Sequence, residues 1–316
     1  MKLSIVVAFF NEEEMIEKTH SEINKYVSQI KELSDYELVF VNDGSKDRTF
    51  ELMKKIADEN PKVKYISFSR NFGRESALLA GLRKASGEMV MIMDGDLQHP
   101  PQLIHKFVEG YLEGYDVVSG RRNRDGESKL GTLFANLFYK TSSSLMDVKL
   151  TNGISEFKLF SRKAVNAVLS LEEYNRFSKG IFSWIGFKEK VIDYQNQVRE
   201  AGESKFGFRR GLNYAMQGIM AFNEKPLRIV LKLGFACVFV AVLYLLSMIA
   251  LYFTKPHLLV SGYFTTIAMI TLLGGVQLIS IGILGEYIGK IFYEVKRRPH
   301  YLIDETNFEE ETTDAK

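Results

Sequence analysis

The chain has 316 residues, 46% of them hydrophobic, enough for one large buried core and an appendage. Lys and Arg total 41 against 39 Asp and Glu, and this net charge of +2, with no nucleic-acid-binding motif, argues against nucleic acid as a partner. The single cysteine, Cys237, excludes an intramolecular disulfide and agrees with a reducing compartment.

Residues 3–10 form an apolar, β-branched run followed directly by Asn11 and a row of glutamates. The chain is therefore expected to open on a strand rather than a secretory leader, with its N-terminal portion in the cytosol. Further strands are predicted at 36–41, 63–69, 89–93 and 115–119, and helical periodicity fills the intervals at 13–30, 47–59, 75–85 and 101–113. This alternation implies right-handed crossovers and a mostly parallel, Rossmann-like α/β sheet. In such sheets ligands bind beyond the carboxyl ends of the strands, where Asn11 and Glu12, Asp43, and Asp94-Gly95-Asp96 all fall. No Gly-x-Gly-x-x-Gly fingerprint or Walker loop is present, which argues against a dinucleotide dehydrogenase or a P-loop enzyme.

The most informative strand end is Met89-Val90-Met91-Ile92-Met93 running into Asp94-Gly95-Asp96-Leu97. Two carboxylates spaced by one residue offer hard oxygen ligands through which a divalent cation bridges to a diphosphate, the chemistry of a nucleotide-sugar site. A solvated acidic turn is the competing explanation. The second acidic turn, Val41-Asn42-Asp43-Gly44-Ser45, ends an earlier strand in the same way and favours the site.

Beyond residue 120 the pattern breaks into polar, glycine-containing sequence with Arg121, Arg122 and Arg124, read as a solvated loop over 121–152. Residues 206–222 mix aromatic and apolar side chains with Arg209 and Arg210, which suits amphipathic helices at a membrane surface or a helix packed on the soluble domain. Segments 233–253 and 263–285 carry no charge for 21 and 23 residues, each enough to cross a hydrocarbon core as a helix. Lys225, Arg228 and Lys232 precede the first, and Lys290, Lys296, Arg297 and Arg298 follow the second, so the positive-inside rule places both termini in the cytoplasm. Gly285 and Gly289 form a small-residue step that suits packing between helices or subunits of a homo-oligomer. The acidic tail after Tyr301 is expected to be disordered. The organisation predicted is thus a catalytic domain over 1–205, juxtamembrane helices over 206–227, a hairpin over 228–289 and a cytosolic tail over 290–316.

Taken in order, Phe10-Asn11-Glu12-Glu13, Asn42-Asp43-Gly44-Ser45-Lys46-Asp47, Arg70-Asn71-Phe72-Gly73-Arg74-Glu75, Asp94-Gly95-Asp96-Leu97-Gln98-His99-Pro100-Pro101, Asn175-Arg176-Phe177 and Ala201-Gly202-Glu203-Ser204-Lys205 resemble the family-two GT-A glycosyltransferases that make polyprenyl-phosphate sugars. Dolichol-phosphate mannose synthases belong to this group, and the bacterial bactoprenol glucosyltransferases are closer in their two-span tail. The resemblance covers residues 1 to about 299. It implies inverting transfer of a hexose from a nucleotide diphosphate sugar to a polyprenyl phosphate by an integral membrane protein whose catalytic domain is cytoplasmic. By position it implies that Asp94, Asp96 and Gln98 hold Mg²⁺ or Mn²⁺, that Phe10, Glu12 and Asp43 cradle base and ribose, and that Arg122, Arg199 and Lys205 face phosphates. A uridine donor carrying glucose or N-acetylglucosamine is favoured.

Three positions depart from the family pattern: Ala8 replaces a proline, Asn42 an aspartate, and Glu156 the aspartate proposed as catalytic base. The acceptor phosphate, with a second pKa of about 6, is already mostly ionised at cytosolic pH, so Glu156 serves as base, as orienting or charge-stabilising group, or in a salt bridge to a local Arg or Lys. The five histidines show no metal-ligand spacing and are given no catalytic role. A processive polysaccharide synthase would carry a Gln-x-x-Arg-Trp motif, and the only tryptophan, Trp184, lacks it. A tethered nucleotide-sugar sensor with a degenerate site is the non-enzymatic alternative.

Overall fold

The computed structural model describes residues 1–123, 153–195, 225–254 and 262–309. Its centre is four parallel strands, β1 (Lys2–Phe9), β2 (Asp35–Asn42), β3 (Val63–Phe68) and β4 (Met89–Asp94), in the order β4-β1-β2-β3. They are mostly apolar because both faces are covered. Leu3, Ile5, Val7 and Phe9 point to one side, where α1 (Ile16–Val27), α2 (Thr49–Glu59) and α4 (Ile104–Leu112) supply Ile23, Met53 and Phe107. Val6, on the other side, meets α3 (Arg74–Lys84), α5 (Arg162–Leu169) and α6 (Ser178–Trp184) through Leu78, Val165 and Ile181. Helix α1 shows the sequence logic: Ile16, Thr19, Ile23 and Val27 are its buried positions, one stripe at helical spacing.

Outside this centre the expected alternation gives way to a mixed arrangement. Strand β6 (Ile154–Ser161) runs antiparallel to β4, β5 (Val117–Asn123) antiparallel to β6, and β7 (Glu189–Gln195) parallel to β5. The β4–β6 ladder ends with the pair Ile92↔Lys158. Carried two residues further, that register sets Glu156 opposite Asp94.

The tail corrects an expectation. Acidic composition after Tyr301 pointed to disorder, yet β8 (Ile303–Thr306) pairs antiparallel with the open edge of β3, completing the order β7-β5-β6-β4-β1-β2-β3-β8. The polar residues that signalled solvent are spent on that edge: the Tyr65 hydroxyl donates to Glu305 at 2.9 Å, and the Tyr65 amide to Asn307 Oδ1 at 2.6 Å. Tyr301 stacks on Phe68 at 4.9 Å. An edge strand with unpaired backbone groups is a template, and local composition does not reveal that one is waiting.

Two long helices follow the sheet domain, α7 (Lys225–Thr254) of 30 residues and α8 (Tyr263–Lys296) of 34. Their apolar windows, Leu227–Ala250 and Thr265–Lys296, have mean hydropathies of 2.6 and 2.2 and no buried share. Phe235, Phe239, Leu278 and Ile281 are all more than 60% exposed, which excludes a buried core hairpin. At about 1.5 Å per residue each helix exceeds the roughly 30 Å of a hydrocarbon core. The surplus of α8 reaches the sheet domain: Glu294 Oε1 accepts the amides of Tyr174 and Asn175 at 2.8 and 3.3 Å, and the Tyr174 ring stacks against Tyr293 and His300 at 5.6 Å. Arg297 then takes a left-handed conformation with φ 46°, turning the chain so that the His300 carbonyl accepts the Ser76 hydroxyl at 3.0 Å. The expected amphipathic segment 206–222 and most of the connection between the two helices lie outside the described residues, whereas 225–227, expected in the juxtamembrane helices, open α7.

Candidate active site

Strands β1, β2 and β4 end level with one another, Ala8 opposite Asp94 and Phe9 opposite Asn42, so the turns after them share one rim. At β4 the turn passes so close to β1 that a Cβ on Gly95 would lie 2.6 Å from the Phe9 ring. Thr19 fixes the Gly95 carbonyl with a 2.7 Å hydrogen bond. Leu97 adopts φ 58°, Asp96 Oδ1 accepts the Gln98 amide at 3.1 Å, and the Asp94 amide donates to His99 Nδ1 at 3.0 Å. Because Nδ1 accepts, the neutral His99 ring carries its proton on Nε2, which lies 3.4 Å from Asp94 Oδ2. His99 is buried and stacked on Phe157 at 4.9 Å, and burial holds its pKa below the ordinary value. Its role in closing this turn escaped the sequence reading, where only metal-ligand spacing was sought.

Arg74, at the start of α3, ties two elements together: one Nη2 contacts Asp94 Oδ1 and lies 2.9 Å from Glu156 Oε2. Burial works to raise the Asp94 pKa, but the Arg74 guanidinium outweighs it and holds this carboxyl below its usual range. Glu156 is only 3% exposed. The salt-bridge alternative for Glu156 is therefore realised, by an arginine from a distant element rather than a local one. Glu75, the next residue along, is pushed up to about 7 by burial and by the neighbouring Glu156 carboxylate. Its carboxylate accepts the Ser178 amide at 3.0 Å and also the Ser178 hydroxyl.

At the end of β2, Asp43 turns away from solvent. It accepts the Phe72 amide at 2.7 Å, the Gly73 amide at 3.1 Å and Asn71 Nδ2 at 2.9 Å, so it organises the turn that delivers Arg74. Burial raises its pKa against those bonds. The two turns are pressed together at Gly44, φ 64°, where a Cβ would lie 2.3 Å from the Arg70 backbone. Phe10 and Glu12 follow β1 on the same rim, both half-buried, with the Glu12 amide held by Thr49 Oγ1 at 2.9 Å.

A cavity of about 180 Å³ opens among Arg74, Asp94, Gln98, His99, Arg122 and Glu156. Of the residues predicted from sequence, the structure thus gathers Asp94, Gln98, Arg122 and Glu156 around one space. Asp96 is not in its lining and is 9% exposed, and Phe10, Glu12 and Asp43 stand along the rim of β1 and β2. Arg199 and Lys205 lie outside the described residues. Arg74, Glu75, His99 and Lys179 were not foreseen as site residues, although Arg74, Glu75 and His99 belong to the motifs of the resemblance: a lone cation or acid at a helix start reads as solvated, and a lone histidine shows no metal-ligand spacing.

Among the described residues no three His, Cys, Asp or Glu side chains converge as a metal set. The two carboxylates and one amide of Asp94, Asp96 and Gln98 nonetheless come from a single turn, and their hard oxygens fit Mg²⁺ or Mn²⁺ provided a substrate diphosphate completes the shell. Arg74 at Asp94 shows how strongly this corner attracts positive charge.

The glycosyl transferase family 2 model matches residues 4–169, and the GtrB C-terminal hairpin model matches residues 225–291. Over 305 residues the chain is 46% identical to a Bacillus subtilis (strain 168) protein named "Putative glycosyltransferase CsbB", covering 96% of this chain and 92% of that one. It is 41% identical over 312 residues to the SfII prophage-derived bactoprenol glucosyl transferase of Shigella flexneri, covering 97% and 99% of the two chains. It is also 37% identical over 306 residues to the "Uncharacterized glycosyltransferase sll0501" of Synechocystis sp. (strain ATCC 27184 / PCC 6803 / Kazusa), covering 96% and 95%.

Proposed function

The chain belongs to glycosyl transferase family 2 and is a GT-A glycosyltransferase, and from that premise we propose that it transfers a hexose, with inversion, from a nucleotide diphosphate sugar to a polyprenyl phosphate at a membrane surface. The observation that carries this reading is the cavity in which Asp94, Gln98, Arg122 and Glu156 meet at the carboxyl ends of the strands. An oxygen of the acceptor phosphate forms a bond to the anomeric carbon as the bond from that carbon to the diphosphate oxygen breaks. The electron pair leaves with the nucleoside diphosphate. No proton has to move, because a phosphate monoester with a second pKa of about 6 is already a dianion at cytosolic pH.

The work of the site is therefore electrostatic. Negative charge develops on the leaving diphosphate, and Arg122 and Arg74 supply positive charge beside it. Asp94, Asp96 and Gln98 would hold a divalent cation, which neutralises the diphosphate when bound. Glu156 shares the Arg74 guanidinium with Asp94, where a carboxylate orients the acceptor or balances positive charge on the sugar ring.

A lipid acceptor fits the two exposed apolar helices. The basic residues outside the hairpin support a catalytic domain on the cytoplasmic side. Relatives named bactoprenol glucosyl transferase support undecaprenyl phosphate as acceptor and a glucose donor, with UDP-glucose ahead of UDP-N-acetylglucosamine. The test is a turnover assay of the purified full chain with polyprenyl phosphate and a panel of labelled sugar nucleotides. Formation of a polyprenyl-phosphate hexose is expected, and binding of every donor without transfer would overturn the reading.

A further inference from the structure

A second cavity, of about 600 Å³, shares Glu156 with the first. Its wall contains Tyr174, Asn175 and His300. The amides of Tyr174 and Asn175 are held by Glu294 near the C-terminal end of α8, and the Tyr174 ring stacks on both Tyr293 and His300. Of the two spaces, this is the one whose wall is anchored to a helix long and apolar enough to cross a membrane, which suits a ligand carried on a lipid chain.

A phosphate in that space needs a cation. Arg74 and Lys179 line both cavities, and Arg176 spends its guanidinium on the carbonyls of Leu171 and Val168. Arg70 lines the second cavity and not the first. It is exposed, its guanidinium lies 4.2 Å from the centre of the Phe72 ring, and Nη1 donates to the Asn71 carbonyl at 3.4 Å. Among the described residues no carboxylate pairs with it. A guanidinium seated over an aromatic face is held in place while its N–H donors stay open to a phosphate.

The backbone that carries Arg70 is fixed at three points. The Ser69 amide donates to the Leu302 carbonyl at 3.1 Å, in the tail that returns from α8. Gly44 is packed so close that a Cβ on it would lie 2.3 Å from the Arg70 backbone. Asp43 accepts the Phe72 amide at 2.7 Å and Asn71 Nδ2 at 2.9 Å. The Phe72 ring in turn meets Phe68 edge-on at 5.8 Å, and Phe68 stacks on Tyr301. The position of this cation is therefore set by the sheet and by the segment that follows the membrane helix.

We propose that Arg70 captures the phosphate group of the acceptor lipid in the second cavity, on the side of the site away from the Asp94 turn. The proposal rests on the lipid-phosphate reading of this site and names the residue that first holds the acceptor. A charge-assisted fork from a guanidinium to phosphate oxygens supplies the contact.

The test uses the full chain in detergent, with farnesyl phosphate as soluble acceptor probe, inorganic phosphate as the chain-free control and a nucleoside diphosphate as donor-side probe, all by calorimetric titration. Arg70→Met should weaken farnesyl phosphate binding about ten- to a hundred-fold, the loss of one charge-assisted contact, and leave nucleoside diphosphate affinity and melting temperature unchanged. Arg70→Lys should recover part of the loss, because it keeps the charge without the planar fork. Inorganic phosphate bound by the wild type as tightly as farnesyl phosphate would make this a free-phosphate site and overturn the lipid assignment. Unchanged farnesyl phosphate affinity in Arg70→Met, or an equal loss on the donor side, would overturn the role of Arg70 while leaving the glycosyl-transfer reading intact. A wild-type chain that binds the nucleoside diphosphate but not farnesyl phosphate would instead remove the lipid-phosphate reading on which the proposal stands.

Discussion

Arg74 lies 2.9 Å from Glu156, joining the first turn of α3 to the start of β6, and the same guanidinium nitrogen contacts Asp94. One cation therefore separates the carboxylate turn assigned to the donor from the carboxylate that departs from the family pattern. Removing it would leave Asp94, Glu156 and Glu75 facing one another with less compensation. Arg74→Met is expected to lower thermal stability by several degrees and to raise the pH at which Asp94 protonates. Because the folded pKa of Asp94 is depressed, its contribution to stability is present above the unfolded value near 3.8 and is lost as pH falls through the folded one. Melting curves below neutral pH check this, and a variant with the same acid limb as the wild type would contradict it.

Glu156 itself is tested by charge and by length. Glu156→Gln should lower kcat by roughly a hundredfold or more while donor affinity is preserved, if the carboxylate orients the acceptor or balances charge in the transition state. Glu156→Asp should retain more activity, since it keeps the carboxylate and restores the residue that the family resemblance implies. Near-normal turnover in the Gln variant would remove Glu156 from the chemistry. Unfolding of both variants would assign it to the Arg74 ion pair alone.

Metal dependence is checked at Asp96. Its Oδ1 accepts the Gln98 amide at 3.1 Å, and an asparagine oxygen can do the same, so Asp96→Asn keeps the turn and loses only charge. The variant should fold normally and be nearly inactive, and the wild type should lose activity in chelator and regain it with Mg²⁺ or Mn²⁺. Full turnover in excess chelator, or in Asp96→Asn, would return the turn to an ordinary acidic loop.

Glu75 gives a pH signature of opposite sign. With its folded pKa at about 7 against 4.5 unfolded, it keeps its proton in the folded state where the unfolded chain has lost it. Stability from this group is complete below the unfolded value, declines as pH rises toward 7, and is flat above. Glu75→Gln should flatten that decline in melting temperature. An unchanged slope would show that another group carries it.

Topology has its own measurement. A cysteine placed in the connection between α7 and α8 should label from outside intact cells, and one near Asp304 should not, with Cys237 removed first. The reverse pattern would invert the hairpin.

The sequence by itself determined the parallel centre of the sheet, the rim position of Asp43 and Asp94, and the two long apolar helices, because each is written in a local period: strand, turn and helix repeat within a few residues. The tertiary structure decided the partnerships. His99 became the closure of the Asp94 turn only when its ring met Phe157 from β6. Glu75 and Ser178 are 103 residues apart in the chain, and no spacing announces their contact. The acidic tail became β8 because β3 offered it an unpaired edge, and Glu156 came opposite Asp94 because β6 runs antiparallel to β4. Such contacts depend on which strands neighbour one another, and strand order is settled by burial of whole faces of the sheet, an energy summed over the chain rather than carried by any one segment of it.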